Sequence, residues 1–176
     1  MSKLDRGFVH VYTGDGKGKT TAALGLALRA AGADFRVAII QFMKGQVYSE
    51  IRAIMECLPQ IRVLQTGRSQ CIRKEDVNDE DRSEAQHALY HAREALQDPD
   101  LDMLILDEIL VAHWFELVSL EEILKLIESR PAHLELVLTG RRAPKEVMQA
   151  ADLVTEMLEI KHYYKQGISA RRGIES

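Results

Sequence analysis

The chain has 176 residues, a formal net charge of −4 and 46% apolar side chains, enough for one α/β domain with a full core. The acidic balance excludes a broad surface for nucleic acid, and no apolar run approaches the roughly 20 residues of a membrane helix. Met1-Ser2-Lys3-Leu4-Asp5-Arg6 lacks a signal-peptide core, so we expect a soluble cytoplasmic protein, residues 1–176 forming a single domain. Its two cysteines, Cys57 and Cys71, give neither a four-thiolate zinc site nor a disulfide framework and read as reduced thiols.

Residues 8–13 read as a first strand and 19–31 as a helix ended by Gly32. Between them stands Thr13-Gly14-Asp15-Gly16-Lys17-Gly18-Lys19-Thr20-Thr21, a phosphate-binding loop. Its glycines let backbone amides crowd around oxyanions, and the following helix points its positive end at them. Lys19 adds a point charge, and the Thr20 hydroxyl can ligate Mg²⁺. The common pattern has a glycine five residues before Gly18; here that position is Thr13, with glycines at 14 and 16 and a second lysine at 17.

The pattern then alternates, as in a parallel sheet covered by helices. Strand 36–42 is followed by helix 49–57, a break at Pro59, strand 61–66 and a polar loop over 67–81. Asp79 or Asp81 caps a helix running to about Leu96. His87 and His91 share a face of that helix but lie among Glu84, Arg93 and Glu94, as on a solvated surface. The apolar strand 103–106 ends in Asp107-Glu108, where a strand's carboxyl end meets a metal held by the phosphate loop: one carboxylate reaches Mg²⁺ directly or through water, the other orients water or substrate. Helix 120–129, strand 134–139, helix 145–150 and strand 153–158 complete the alternation. Arg141 follows the fifth strand where a guanidinium can grip triphosphate oxygens. Residues 161–176, with His162, two tyrosines and Arg171-Arg172, are too short and polar to be a core element.

In this order the segments resemble the phosphate-loop family of ATP:corrinoid adenosyltransferases. The resemblance runs nearly end to end. It rests on the loop from Thr13, Gln41-Phe42-Met43-Lys44-Gly45, Leu106-Asp107-Glu108, Leu138-Thr139-Gly140-Arg141, Ala151-Asp152-Leu153-Val154-Thr155-Glu156-Met157, Lys161-His162 and Gly173-Ile174-Glu175. The resemblance implies a three-layer P-loop NTPase fold of RecA-like kind, with a mostly parallel central sheet flanked by helices. It also implies a reaction in which the Co(I) of cobalamin or cobyrinic acid a,c-diamide attacks the 5′ carbon of ATP and expels triphosphate. Residues 13–21, Arg29 and Gln41 would then meet the nucleotide, Lys19, Glu108 and Arg141 would serve catalysis, and Thr20, Asp107 and Glu108 would hold Mg²⁺ or Mn²⁺. ATP lying reversed along the loop, a flavoprotein reductant and a homodimer are further implications.

One departure stands out. Familiar members carry Phe and Trp after the third strand as a wedge against the corrin, whereas this chain reads Gly67-Arg68-Ser69-Gln70-Cys71-Ile72. Ile72, Phe42, Trp114 and Phe115 are the candidate substitutes. Two other readings remain open at this point: an NTPase or phosphotransferase of the same fold class, and a module that binds and delivers a corrinoid without turnover.

Overall fold

A computed structural model describes residues 4–70 and 72–175; Cys71 lies outside them. Six parallel strands form one sheet in the order β3-β2-β4-β5-β1-β6: β1 is Val9–Thr13, β2 Val37–Gln41, β3 Ile61–Gln65, β4 Met103–Asp107, β5 Glu135–Thr139 and β6 Leu153–Glu156. The helices are α1 Lys19–Gly32, α2 Ser49–Cys57, α3 Asp79–Leu96, α4 Ile109–Trp114, α5 Leu120–Glu128 and α6 Lys145–Ala150. A mostly parallel sheet flanked by helices is therefore the architecture, as the alternation implied.

β2 and β4 are buried at every position because helices cover both faces, which is why they read as unbroken apolar runs. On one face, Ala23, Ala27, Ala30 and Ala31 of α1 join Ile51 and Ile54 of α2 over Val37, Ile39, Ile105 and Val137. On the other, Ala88, Leu89 and Ala92 of α3, Leu110 of α4 and Ile123 of α5 cover Ile40, Leu104, Leu106 and Leu138. Burying a side chain such as Leu104 contributes about 1.5–3 kcal/mol.

The structure departs from the expected elements in a few places. α4 was not expected, and it follows directly on Asp107 through Glu108, whose φ of 63° turns the chain sharply from strand to helix. α3 is capped by Asn78 rather than Asp79 or Asp81; Asp81 instead closes the capping box by accepting from the Asn78 N–H. α1 does end at Gly32, but the left-handed residue that reverses the chain is Asp34, at φ 64°. The polar loop contains a 3-10 turn at Lys74–Asp76, and β6 ends at Glu156, although the Met157 N–H still donates to the Thr13 carbonyl at 2.9 Å.

Register positions the site. Gln41 stands opposite Gln65 on one side and Asp107 on the other, and Tyr12 stands opposite Thr139. The carboxyl ends of β1, β2, β4 and β5 thus converge on one edge of the sheet, next to the loop between β1 and α1.

Candidate functional site

The loop turns at Gly14, with φ of 95°, and at Gly18, with φ of 124°, which caps α1. A Cβ at Gly14 would collide with the Met157 backbone, which passes alongside and accepts from the Gly16 N–H at 2.7 Å. Lys19 is buried and closes on the loop, its ammonium donating to the Gly14 and Gly16 carbonyl oxygens at 2.7 and 2.8 Å. Burial holds its pKa below the ordinary lysine value despite the nearby Glu108. The Thr13 hydroxyl accepts from the Ala143 N–H at 3.2 Å, so the altered first corner tethers the segment after β5.

Asp107 is the hub of the site, with only 1% of its surface exposed. Its Oδ1 accepts from the Thr20 hydroxyl at 2.9 Å and the Thr139 hydroxyl at 2.7 Å; its Oδ2 accepts from the Gln41 amide at 2.9 Å and the Lys44 ammonium at 2.6 Å. Gln41 is itself oriented by the Gln65 amide, which donates to its Oε1 at 2.9 Å. Burial pulls the Lys44 pKa down, but the adjoining Asp107 carboxylate more than offsets that and holds it above the ordinary lysine value. Glu108 behaves oppositely: burial, reinforced by Asp107, pushes its carboxyl above the usual range. Its backbone N–H donates to the Thr139 hydroxyl at 3.0 Å, fixing the left-handed turn.

The donor chemistry fits Mg²⁺. Thr20 Oγ1 and Asp107 Oδ1 are hard oxygens 2.9 Å apart, close to the roughly 3 Å edge of an octahedron with bonds near 2.1 Å. Among the described residues no group of three or more His, Cys, Asp or Glu side chains gathers to hold a metal. His87 and His91 bond each other on the exposed face of α3, Nε2 to Nε2 at 2.9 Å, away from the site.

The remaining expected residues divide into those at the loop and those elsewhere. Arg141 reaches across to Asp15, with 3.7 Å between Nη1 and Oδ1, and both are exposed. Thr21 is exposed on the first turn of α1. Lys17 faces outward, donating to Glu175 Oε1 at 2.9 Å, Tyr163 Oη at 3.2 Å and the Ile174 carbonyl at 3.2 Å. Arg29 stands ten residues along α1, about 15 Å of helix rise beyond Lys19, where its charge acts on Tyr12 of β1.

Of the four wedge candidates, Phe42 and Phe115 are buried core residues. Trp114 is half-buried beneath the Arg142 guanidinium, 4.2 Å from the ring centre. Ile72 is half-buried in a small cavity with Met43, Arg68 and Leu117. The loop bearing Arg68 is held by its guanidinium on the buried Asp81, at 2.7 and 2.6 Å.

Sequence reasoning passed over Lys44, Gln65 and Thr139 as site residues, and it missed that the C-terminal segment ties to Lys17. Lys44 had a signal in the sequence: a lysine three residues beyond a buried polar Gln41, at the carboxyl end of an apolar strand.

Residues 5–176 match the family described as ATP:corrinoid adenosyltransferase BtuR/CobO/CobP. The chain is 36% identical over 177 residues to the corrinoid adenosyltransferase CobA of Salmonella typhimurium, covering 99% of this chain and 88% of that one. It is 33% identical over 172 residues to the corrinoid adenosyltransferase of Escherichia coli, covering 97% and 86% of the two chains. With the corrinoid adenosyltransferase of Pseudomonas aeruginosa the identity is 35% over 176 residues, covering 99% and 86%.

Proposed function

Because this chain belongs to the ATP:corrinoid adenosyltransferase family, and is an enzyme that transfers the adenosyl group of ATP to a corrinoid, we propose how its residues divide that work. The 5′-deoxyadenosyl group passes to the substrate's Co(I), the new cobalt–carbon bond forming as the C5′–O bond breaks and both bonding electrons leave with triphosphate. The observation that carries this reading is the gathering of Thr20, Gln41, Lys44 and Thr139 on the buried Asp107, beside Lys19 and the loop amides.

The departing triphosphate is the site's electrostatic problem. Lys19, poised on two carbonyl oxygens, exchanges them for phosphate oxygens, while the loop N–H groups and the start of α1 supply fixed donors. Arg141 swings from Asp15 to the triphosphate. Thr20 and Asp107 would hold Mg²⁺, with Glu108 acting on its water. Bound there, the cation would supply Lewis-acid neutralisation of the leaving group. Glu108, in its desolvated turn, gains most from that positive charge. Ile72 and Trp114, the wedge candidates outside the core, form the apolar wall for the corrin.

The fold is read as a P-loop NTPase of RecA-like kind forming one domain over residues 1–176, supported by the loop between β1 and α1 and the acidic pair after β4. The protein acts in the cytoplasm, consistent with the finding that, among the described residues, no helix is long and apolar enough to cross a membrane. A homodimer is supported by exposed Leu153 and Val154 on β6 and Leu158 and Ile160 in the segment after it. The flavoprotein reductant rests on the resemblance alone.

The test gives purified protein ATP, Mg²⁺ and chemically reduced cobalamin. The expected products are a light-sensitive adenosylated corrinoid and triphosphate in equal amounts, with Lys19→Ala about 100-fold slower or worse at unchanged thermal stability. ADP as the main product, or a near-normal Lys19→Ala, overturns the assignment.

A further inference from the structure

Lys44 sits beside the proposed metal seat. Its ammonium is 2.6 Å from Asp107 Oδ2 and 3.3 Å from the Thr20 hydroxyl oxygen, so it touches both groups assigned to the cation. Those two groups bond each other at 2.9 Å. The ammonium is held there from behind. Met43, at φ 57°, turns the chain back after β2, and the Lys44 N–H is pinned to the Thr66 carbonyl at 2.7 Å. A fixed backbone with a flexible four-carbon stem is a tethered cation, free at its tip and anchored at its root.

We propose that Lys44 is a positioning residue that competes with the divalent cation for Asp107, keeping the Thr20–Asp107 pair assembled and surrendering the carboxylate when the metal arrives with the nucleotide. A carboxylate with 1% exposure cannot be left unpaired, so something positive must stay beside it between turnovers. Lys44 meets that need while disfavouring capture of a free divalent ion, since two cations on one desolvated carboxylate repel strongly. A metal accompanied by the four negative charges of ATP displaces it far more readily than a free ion does. The displaced ammonium then stays within reach of the same triphosphate, so its charge is retained in the site. The consequence is ordered loading: metal and nucleotide enter together.

This inference rests on the metal seat proposed above, and the experiment separates the two. Mn²⁺ binding is measured by electron paramagnetic resonance, first without ATP. Lys44→Gln, which keeps a donor but removes the charge, and the near-isosteric Lys44→Met are each expected to bind Mn²⁺ at least about tenfold more tightly than the unsubstituted protein. Lys44→Arg, which keeps the charge, is expected to stay within about threefold. Mn²⁺ should also raise the melting temperature of Lys44→Gln and Lys44→Met more than that of the unsubstituted protein, because the metal replaces the lost partner of Asp107.

Unchanged or weaker Mn²⁺ binding in both neutral variants overturns the competition. With ATP present, Asp107→Asn should weaken Mn²⁺ binding; if it does not, the seat is wrong and the inference falls with it. If Asp107→Asn does weaken binding while the neutral variants leave Mn²⁺ affinity unchanged, the seat stands and the competition alone fails.

Discussion

Thr139→Val tests whether the site is held together by hydrogen bonds to one carboxylate. Thr139 is fully buried, and its hydroxyl serves two partners: it donates to Asp107 Oδ1 at 2.7 Å and accepts from the Glu108 N–H at 3.0 Å. Valine has nearly the same shape, so little cavity or overpacking cost arises. Losing a hydrogen bond to an ionised group costs about 1.5–3 kcal/mol, and leaving the Glu108 N–H unsatisfied adds about 1–3 kcal/mol. Part of this is offset by the added methyl, so the net expectation is about 3 kcal/mol. For a chain of this length that lowers the melting temperature by about 6–12 °C.

The control is Thr66→Val, where a buried hydroxyl donates to the neutral Gln41 carbonyl at 3.3 Å and the loss should be about 1 kcal/mol. Urea unfolding of both variants in metal-free buffer, followed by circular dichroism, gives the comparison. A Thr139→Val loss no larger than that of Thr66→Val would mean that the Asp107 hub does not stabilise the fold as argued.

Gly140→Ala should destabilise the chain by about 2 kcal/mol or more and lower activity, because its φ is 141° and a Cβ would sit 2.8 Å from both Leu110 Cβ and the Val111 nitrogen. Thermal unfolding of Gly140→Ala with the transfer assay checks both effects; a neutral substitution would mean that β5 and α4 are less closely packed than described. Glu135→Gln carries a pH signature. Burial pushes the Glu135 carboxyl up, but His10, 2.5 Å away, and the Phe8 N–H pull it further down, so its folded pKa lies below the ordinary value. Its contribution is therefore complete above the unfolded pKa of about 4.3 and disappears as pH falls through the lower folded value. The stability gap between the unsubstituted protein and Glu135→Gln, measured by urea unfolding from pH 7 to pH 3, should be widest at the top and shrink at the bottom; a gap independent of pH would contradict this.

The strands were readable because β2, β4 and β5 are apolar runs of strand length between longer segments of helical period. α4 was not, because six residues from Ile109 to Trp114 give too short a window for a period to emerge, and only Asp107-Glu108 separates them from the apolar strand before. What starts α4 is a left-handed Glu108, which no pattern of apolar residues announces. The loop and the acidic pair were legible since each is contiguous in sequence. The hub around Asp107 was not, because Gln41, Lys44, Gln65 and Thr139 come from the ends of three other strands and meet only through register.

Met157 leaves one consequence for how this gene can vary. Its backbone forms a side wall of the phosphate loop, bonded to Gly16 and pressed against Gly14, while the β6 residues just before it are exposed, with the Glu156 side chain alone lying against Gly14. Point changes at 153–155 should cost the fold of a single chain little. Insertion or loss of a single residue there should not be, because it would slide a different peptide group against those glycines and jam the turn from outside, some 140 positions downstream of the loop it disables.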